Sequence, residues 1–128
     1  MDVEEVRRTT TQLNQGVASL LAADLDGLEA EDLMAVVRDA EVVARRLDAW
    51  RVAAAGALDR TAAYTVDGHR SAKAALRHLG RLSGPEAARR VRTARALRQL
   101  PEVAAAFAAG QVPVEMAHAI GRAASNRR

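Results

Sequence analysis

From Val3 onward, apolar and small residues recur in alternating steps of three and four: Val3, Val6, Thr10, Leu13, Val17 and Leu20. That spacing lines one face of an α-helix, because a turn of 3.6 residues returns each side chain to the same side. A second run with the same steps reads Val36, Ala40, Val43, Leu47, Trp50, Ala54 and Ala57 and continues towards Tyr64. No segment alternates with the two-residue period of a strand, so the chain is expected to be all-α. The first helix is expected to end near Leu25, where Asp26 and Gly27 form a turn. The second begins around Glu29, Glu31 and Asp32, whose carboxylates suit the positive end of a helix dipole, and runs for roughly 30 residues. Two such stripes joined by a short turn predict a long antiparallel hairpin, with Trp50 packed inside it.

Downstream, Asp67-Gly68 interrupts the pattern, and Ser71 can cap a short helix carrying Ala72, Ala75, Leu76 and Leu79 before Gly80 stops it. The clearest start signal is Ser83-Gly84-Pro85-Glu86: a capping serine, an early proline that forgoes no helical hydrogen bond, and a glutamate placed to reach back to the cap. This helix is expected to reach Leu100; Pro101 opens another to Ala109, Gly110 ends it, and Pro113 opens the last through Ala124. The helix from Ser71, the turn Gly80-Arg81-Leu82-Ser83 and the helix from Gly84 have the proportions of a helix-turn-helix. The chain is thus read as an N-terminal helical hairpin over residues 1–66 and a basic multi-helix segment over residues 67–128 packed on it, one domain overall.

These helices have little bulk to bury. Thirty residues are alanine, whereas Val, Ile, Leu and Phe together number 28. Alanine favours helix because it loses no side-chain entropy, so closely packed helices of modest stability are expected. With no cysteine, neither a disulfide nor a thiolate metal site can form. No stretch approaches the roughly 20 apolar residues that span a bilayer, and Asp2, Glu4 and Glu5 occupy the place of a basic leader. A soluble, cytoplasmic protein without a membrane partner is expected.

The net charge of +3 conceals an asymmetry: residues 1–68 carry −6 and residues 69–128 carry +9. Residues 69–100 hold nine arginines or lysines against the single Glu86. Guanidinium groups bind phosphate through paired hydrogen bonds, so a nucleic-acid backbone is the natural acidic partner. The candidate DNA contacts are Arg70, Lys73, Arg77, Arg81, Arg89, Arg90, Arg92, Arg95 and Arg98. Arg89, Arg92, Arg95 and Arg98 form a row beside a second row of Ala88, Val91, Ala94 and Leu97, so one row can pack while the other meets a partner. Arg89 and Arg90, near the helix start, are expected at a groove, and Arg92, Arg95 and Arg98 on phosphates. The three aromatic residues, Trp50, Tyr64 and Phe107, lie outside the basic segment, which favours double-stranded DNA over stacking on single strands. The competing reading is a solvated arginine face on a protein-interaction or dimerisation module, whose stripes pair with another copy or a helical partner and have no nucleic-acid role.

Catalytic signals are weak. Glu115 and His118 have Glu-x-x-His spacing, but the second such pair of a carboxylate-bridged dimetal site is missing. His69 lies in a turn and His78 in a basic helix, where solvent or phosphate contact is expected for both. No glycine-rich phosphate loop or nucleophile motif occurs. No catalytic residue, metal ligand or cofactor is therefore assigned, and the chain is expected not to be an enzyme.

Several short motifs follow one another in order: Asp67-Gly68-His69-Arg70-Ser71-Ala72, Leu82-Ser83-Gly84-Pro85-Glu86-Ala87, Ala96-Leu97-Arg98-Gln99-Leu100-Pro101 and Ala109-Gly110-Gln111-Val112-Pro113. This series resembles the 13E12-repeat family, the helical domain of unknown function 222 that precedes HNH endonuclease domains in actinobacterial proteins. The resemblance covers about residues 30–124. It implies a mostly α module attached to a metal-dependent nuclease and helping it engage DNA. The sequence departs from the family around Ala75, where a tryptophan is often found. It also holds no His-Asn-His constellation, its only asparagines being Asn14 and Asn126, so no HNH residue is carried over. The nuclease part is expected to be absent from this chain.

Overall fold

Asp2 caps the first helix through its carboxylate, which accepts the Glu5 N–H at 2.9 Å, and α1 spans Val3–Leu21. The computed structural model describes residues 1–126, and all regular structure among them is helical. α2 spans Ala30–Arg60, and a short 3-10 turn covers Ala63–Asp67. α3 follows over Ala72–Gly80, α4 over Gly84–Leu97, α5 over Pro101–Ala108 and α6 over Val114–Ser125. α1 ends four residues before the expected Leu25. α2 stops at Arg60 rather than running on to Tyr64, because Ala62 turns left-handed at φ 55°. Among the described residues, no helix is long and apolar enough to cross a membrane.

The chain forms two compact units, Met1–Val37 and a larger one from Arg38 onward. Residues 66 and 67 lie in a turn within the second unit. The first unit holds α1 and the opening turns of α2, and no residue of α1 is buried.

In the second unit the core is built largely from methyl groups. Seven of its ten buried hydrophobic residues are alanine, and Phe107, 1% exposed, is the bulkiest. Phe107 clusters with Val52, Ala94 and Ala117, and Ala49, Leu97, Val112 and Val114 pack round them. α4 is the central helix, making its largest contact with α6 and its next with α3. Of its fourteen residues only Pro85 and Arg95 are exposed. Small residues permit this crowding: a Cβ added at Gly121 of α6 would meet the Thr93 backbone at 3.1 Å, and one at Gly56 of α2 would meet Ala94 Cβ at 3.0 Å.

This packing overturns the expectation for Trp50. The residue is 57% exposed, and Val43 and Leu47 of the same stripe are exposed with it. α2 turns Val52, Ala55 and Gly56 inward instead. Two residues along a helix rotate a side chain by about 200°, so Trp50 and Val52 face opposite ways. α2 is apolar or small on both sides, and the small side lets its backbone approach α4 closely.

Candidate nucleic-acid interface

The basic segment begins at a turn that needs glycine. Gly68 sits at φ +79°, a left-handed conformation that costs a residue with a Cβ about 1–2 kcal/mol. Ser71 then caps α3, its hydroxyl accepting the Ala74 N–H at 3.1 Å. At the far end Gly80 is the last helical residue, and the left-handed position after it falls to Arg81, at φ 53°. Three residues, Arg81, Leu82 and Ser83, connect to α4, where the Ser83 hydroxyl accepts the Glu86 N–H at 3.1 Å.

Arg70, Lys73, Arg77 and Arg81 are all exposed, and none makes an ion pair among the described residues. Lys73 and Arg77 reach the start of α4: a Cβ at Gly84 would lie 3.9 Å from both Lys73 Cε and Arg77 Cζ. Their charges therefore add to the positive end of the α4 dipole.

The expected arginine row on α4 is not a free basic stripe. Glu86 does not reach back to its cap; it takes two hydrogen bonds from Arg89, at 2.9 and 3.3 Å, and an ion pair from Arg90 at 3.5 Å. Arg90 is folded against the protein, its side chain 11% exposed. Arg92 buries its Nε without a hydrogen-bond partner. Arg95 grips Asp59 of α2 through two bonds of 2.9 Å. Only Arg98 is both exposed and without an ion pair among the described residues. Glu86, one turn away on α4 itself, takes Arg89 and Arg90, and Asp59 on the neighbouring α2 takes Arg95.

Electrostatics follow this wiring. The hydrogen bonds from Arg95 hold the Asp59 carboxyl below its ordinary range, against a smaller opposing effect of burial. Burial works against ionisation of Glu86, but the bonds and charges of Arg89 and Arg90 outweigh it and the carboxyl is lowered. Burial lowers the pKa of Arg90, reinforced by repulsion from Arg51.

His118 is buried on α6, with Nδ1 2.7 Å from the Thr93 hydroxyl. Its Nε2 lies 3.7 Å from Glu86 Oε1, too far for a hydrogen bond, and has no other partner. Burial pushes its pKa down, so the ring is neutral near pH 7. Thr93 is wholly buried and cannot meet a substrate, so this trio joins α4 to α6 and offers no nucleophile. Glu115 is exposed, whereas His118, three residues on, is buried. The rings of His69 and His78 lie 5.4 Å apart, but no group of three or more potential metal ligands occurs among the described residues.

The Glu86 pairs could have been read from spacings of three and four on one helix. Asp59 and Arg95, 36 residues apart, carry no such signal.

No curated protein and no solved structure matches the chain. The family model of a domain of unknown function, DUF222, matches residues 34–126, which takes in nearly all of the second unit. The motifs of the α3–α4 region and the turn after α5 lie within that match, and the chain belongs to the DUF222 family of domains of unknown function.

Proposed function

We propose that this DUF222 module is a non-catalytic, DNA-associated element of an HNH-endonuclease-like protein, and that it meets double-stranded DNA through α3 and its two ends. The observation that carries this reading is the group of four exposed cations, Arg70, Lys73, Arg77 and Arg81, with no acidic residue between them in sequence. Two of them flank the positive end of α4, and that combination suits a phosphate backbone. The α4 arginines hold the fold together through Glu86 and Asp59, with Arg98 left to extend the basic face. The link to an HNH part outside this chain rests on the family resemblance. The same reading places the protein in the cytoplasm with the DNA.

Binding is expected to be sequence-independent and salt-sensitive, log affinity falling by about 0.9 per log salt for each phosphate neutralised. Anisotropy of a labelled duplex, titrated at several salt concentrations, tests the assignment with two quadruple variants. Glutamine at Arg70, Lys73, Arg77 and Arg81 is expected to lower the slope by about 3.6. Glutamine at Arg89, Arg92, Arg95 and Arg98 is expected to lower it by about 0.9, the share of Arg98, while reducing stability. Unchanged duplex affinity in the first variant would refute the reading. Neither wild type nor variant is expected to cleave DNA when a divalent metal is added. An HNH pattern in the adjacent coding sequence would support the nuclease connection.

A further inference from the structure

The outward side of α2 in the second unit carries a ridge with a trough beside it. The ridge is Val43, Leu47 and Trp50, 55%, 37% and 57% exposed. The trough is an open groove of about 750 Å3 lined by α2, α4 and α5. The ridge residues form one wall, and the small Ala53 and Gly56 of α2 with Ala104 and Ala108 of α5 leave the space beside them. No carboxylate lines it, and its charges are Arg46, Arg60 and Arg98. Water in such a groove finds few hydrogen-bonding partners, and a contiguous apolar face of this kind marks an interaction surface.

We propose that a second copy of the chain covers this face, the two α2 helices crossing antiparallel near Trp50 about a two-fold axis. A two-fold interface uses the same patch on both subunits, so ridge and trough must lie side by side on one surface. They do so here. With the crossing at Trp50, residues equally far before and after it fall opposite each other: Leu47 of one copy over Ala53 of the other, and Val43 over Ala57. Large side chains thereby meet small ones along the contact, which is how facing layers interdigitate. The two Trp50 rings meet at the axis, where a large, rigid side chain contributes most to an interface.

Charge selects the same arrangement. An antiparallel crossing brings Asp39 of one copy, on the same side of α2 as Trp50, to Arg60 of the other, with Arg98 beside it on the groove. Asp39 is exposed and makes no ion pair among the described residues. A parallel pairing would set Arg60 against Arg60 and ridge against ridge. The four cations of α3 and its ends are no part of this face, and Arg98 is the one residue it shares with the proposed basic surface, so association is tested without DNA.

Analytical ultracentrifugation without DNA tests it. The mass of the wild-type chain is expected to rise from 13.7 kDa towards twice that with concentration, and the emission of Trp50, the single tryptophan, to shift to the blue over the same range. Trp50→Glu, at a position exposed in the monomer, is expected to keep its helical circular dichroism and weaken association at least tenfold. Arg60→Glu alone and Asp39→Lys alone are both expected to weaken it, and mixing the two proteins to restore a mixed dimer. A wild type that stays monomeric up to about 1 mM overturns the proposal, as does a dimer whose strength Trp50→Glu leaves unchanged.

Discussion

Gly110→Ala and Gly68→Ala, compared with each other, measure how firmly the turn after α5 is seated on α2. The two glycines have nearly the same backbone, φ +80° and +79°. At either, alanine incurs the left-handed penalty of about 1–2 kcal/mol, partly offset by a less flexible unfolded chain, for a net loss near 1 kcal/mol. At Gly68 nothing lies within 4 Å of the added methyl, so that loss is the whole effect. At Gly110 the methyl would sit 3.0 Å from Arg46 Cγ, Val42 Cγ1 and the Val42 carbonyl oxygen. Arg46 can bend away, but the carbonyl belongs to the helical backbone of α2 and cannot. The turn must lift instead, which adds an overpacking cost of about 1–3 kcal/mol. Lifting it also stretches the 2.6 Å bond from Arg45 Nε to the Gly110 carbonyl oxygen, a charge-assisted contact. Gly110→Ala is therefore expected to cost about 2–4 kcal/mol in total. Urea unfolding followed by far-ultraviolet circular dichroism gives both values, provided the dependence on urea is the same in each variant. Losses equal within about 0.5 kcal/mol would show that the turn does not bear on α2 as described.

Three further outcomes are expected. Stability should fall on acidification in two stages. The first concerns His118, whose folded pKa lies below its ordinary 6.5. Between those values the unfolded chain binds more protons, so stability present above pH 6.5 declines as pH drops below it. The second concerns Asp59 and Glu86, whose contributions are complete above their ordinary 3.8 and 4.5 and are lost as pH falls through their lowered folded values. Thermal melts across pH should show His118→Gln removing the upper stage only. Arg81→Gly relieves a left-handed non-glycine residue and is expected to stabilise the fold by about 0.5–1 kcal/mol while lowering the salt slope of DNA binding by about 0.9; a loss of stability in denaturant unfolding would contradict this. A double-mutant cycle on Asp59 and Arg95 should give a coupling of about 0.5 kcal/mol, vanishing in high salt, because Arg95 is 65% exposed and solvent screens the pair.

The helices were legible where local chemistry speaks. Ser71 and Ser83 cap α3 and α4, and Pro101 and Pro113 stand at the starts of α5 and α6. What misled was the size of the side chains. In α2 the large residues mark a stripe, yet the protein buries Val52, Ala55 and Gly56 on the other side, because alanine and glycine let two backbones come close. Periodicity identifies a helix and its apolar face but does not decide between an apolar face and a small one. The arginine row on α4 was misjudged for a related reason. Spacing shows that Arg95 is on a surface, whereas the pairing with Asp59 depends on which helix lies next to it. The exposure of the α3 cations follows from a segment that holds no acidic residue between Arg70 and Arg81.

A core assembled from alanines has a thermal consequence. The heat capacity gained on unfolding grows with the apolar area released to water, and a methyl releases little. With seven alanines among ten buried hydrophobic residues, the second unit should fall below the usual figure of about 12–15 cal/mol/K per residue. The curve of stability against temperature is then shallow. Such a curve bends little about its maximum, so what stability the protein has changes only slowly on cooling or warming.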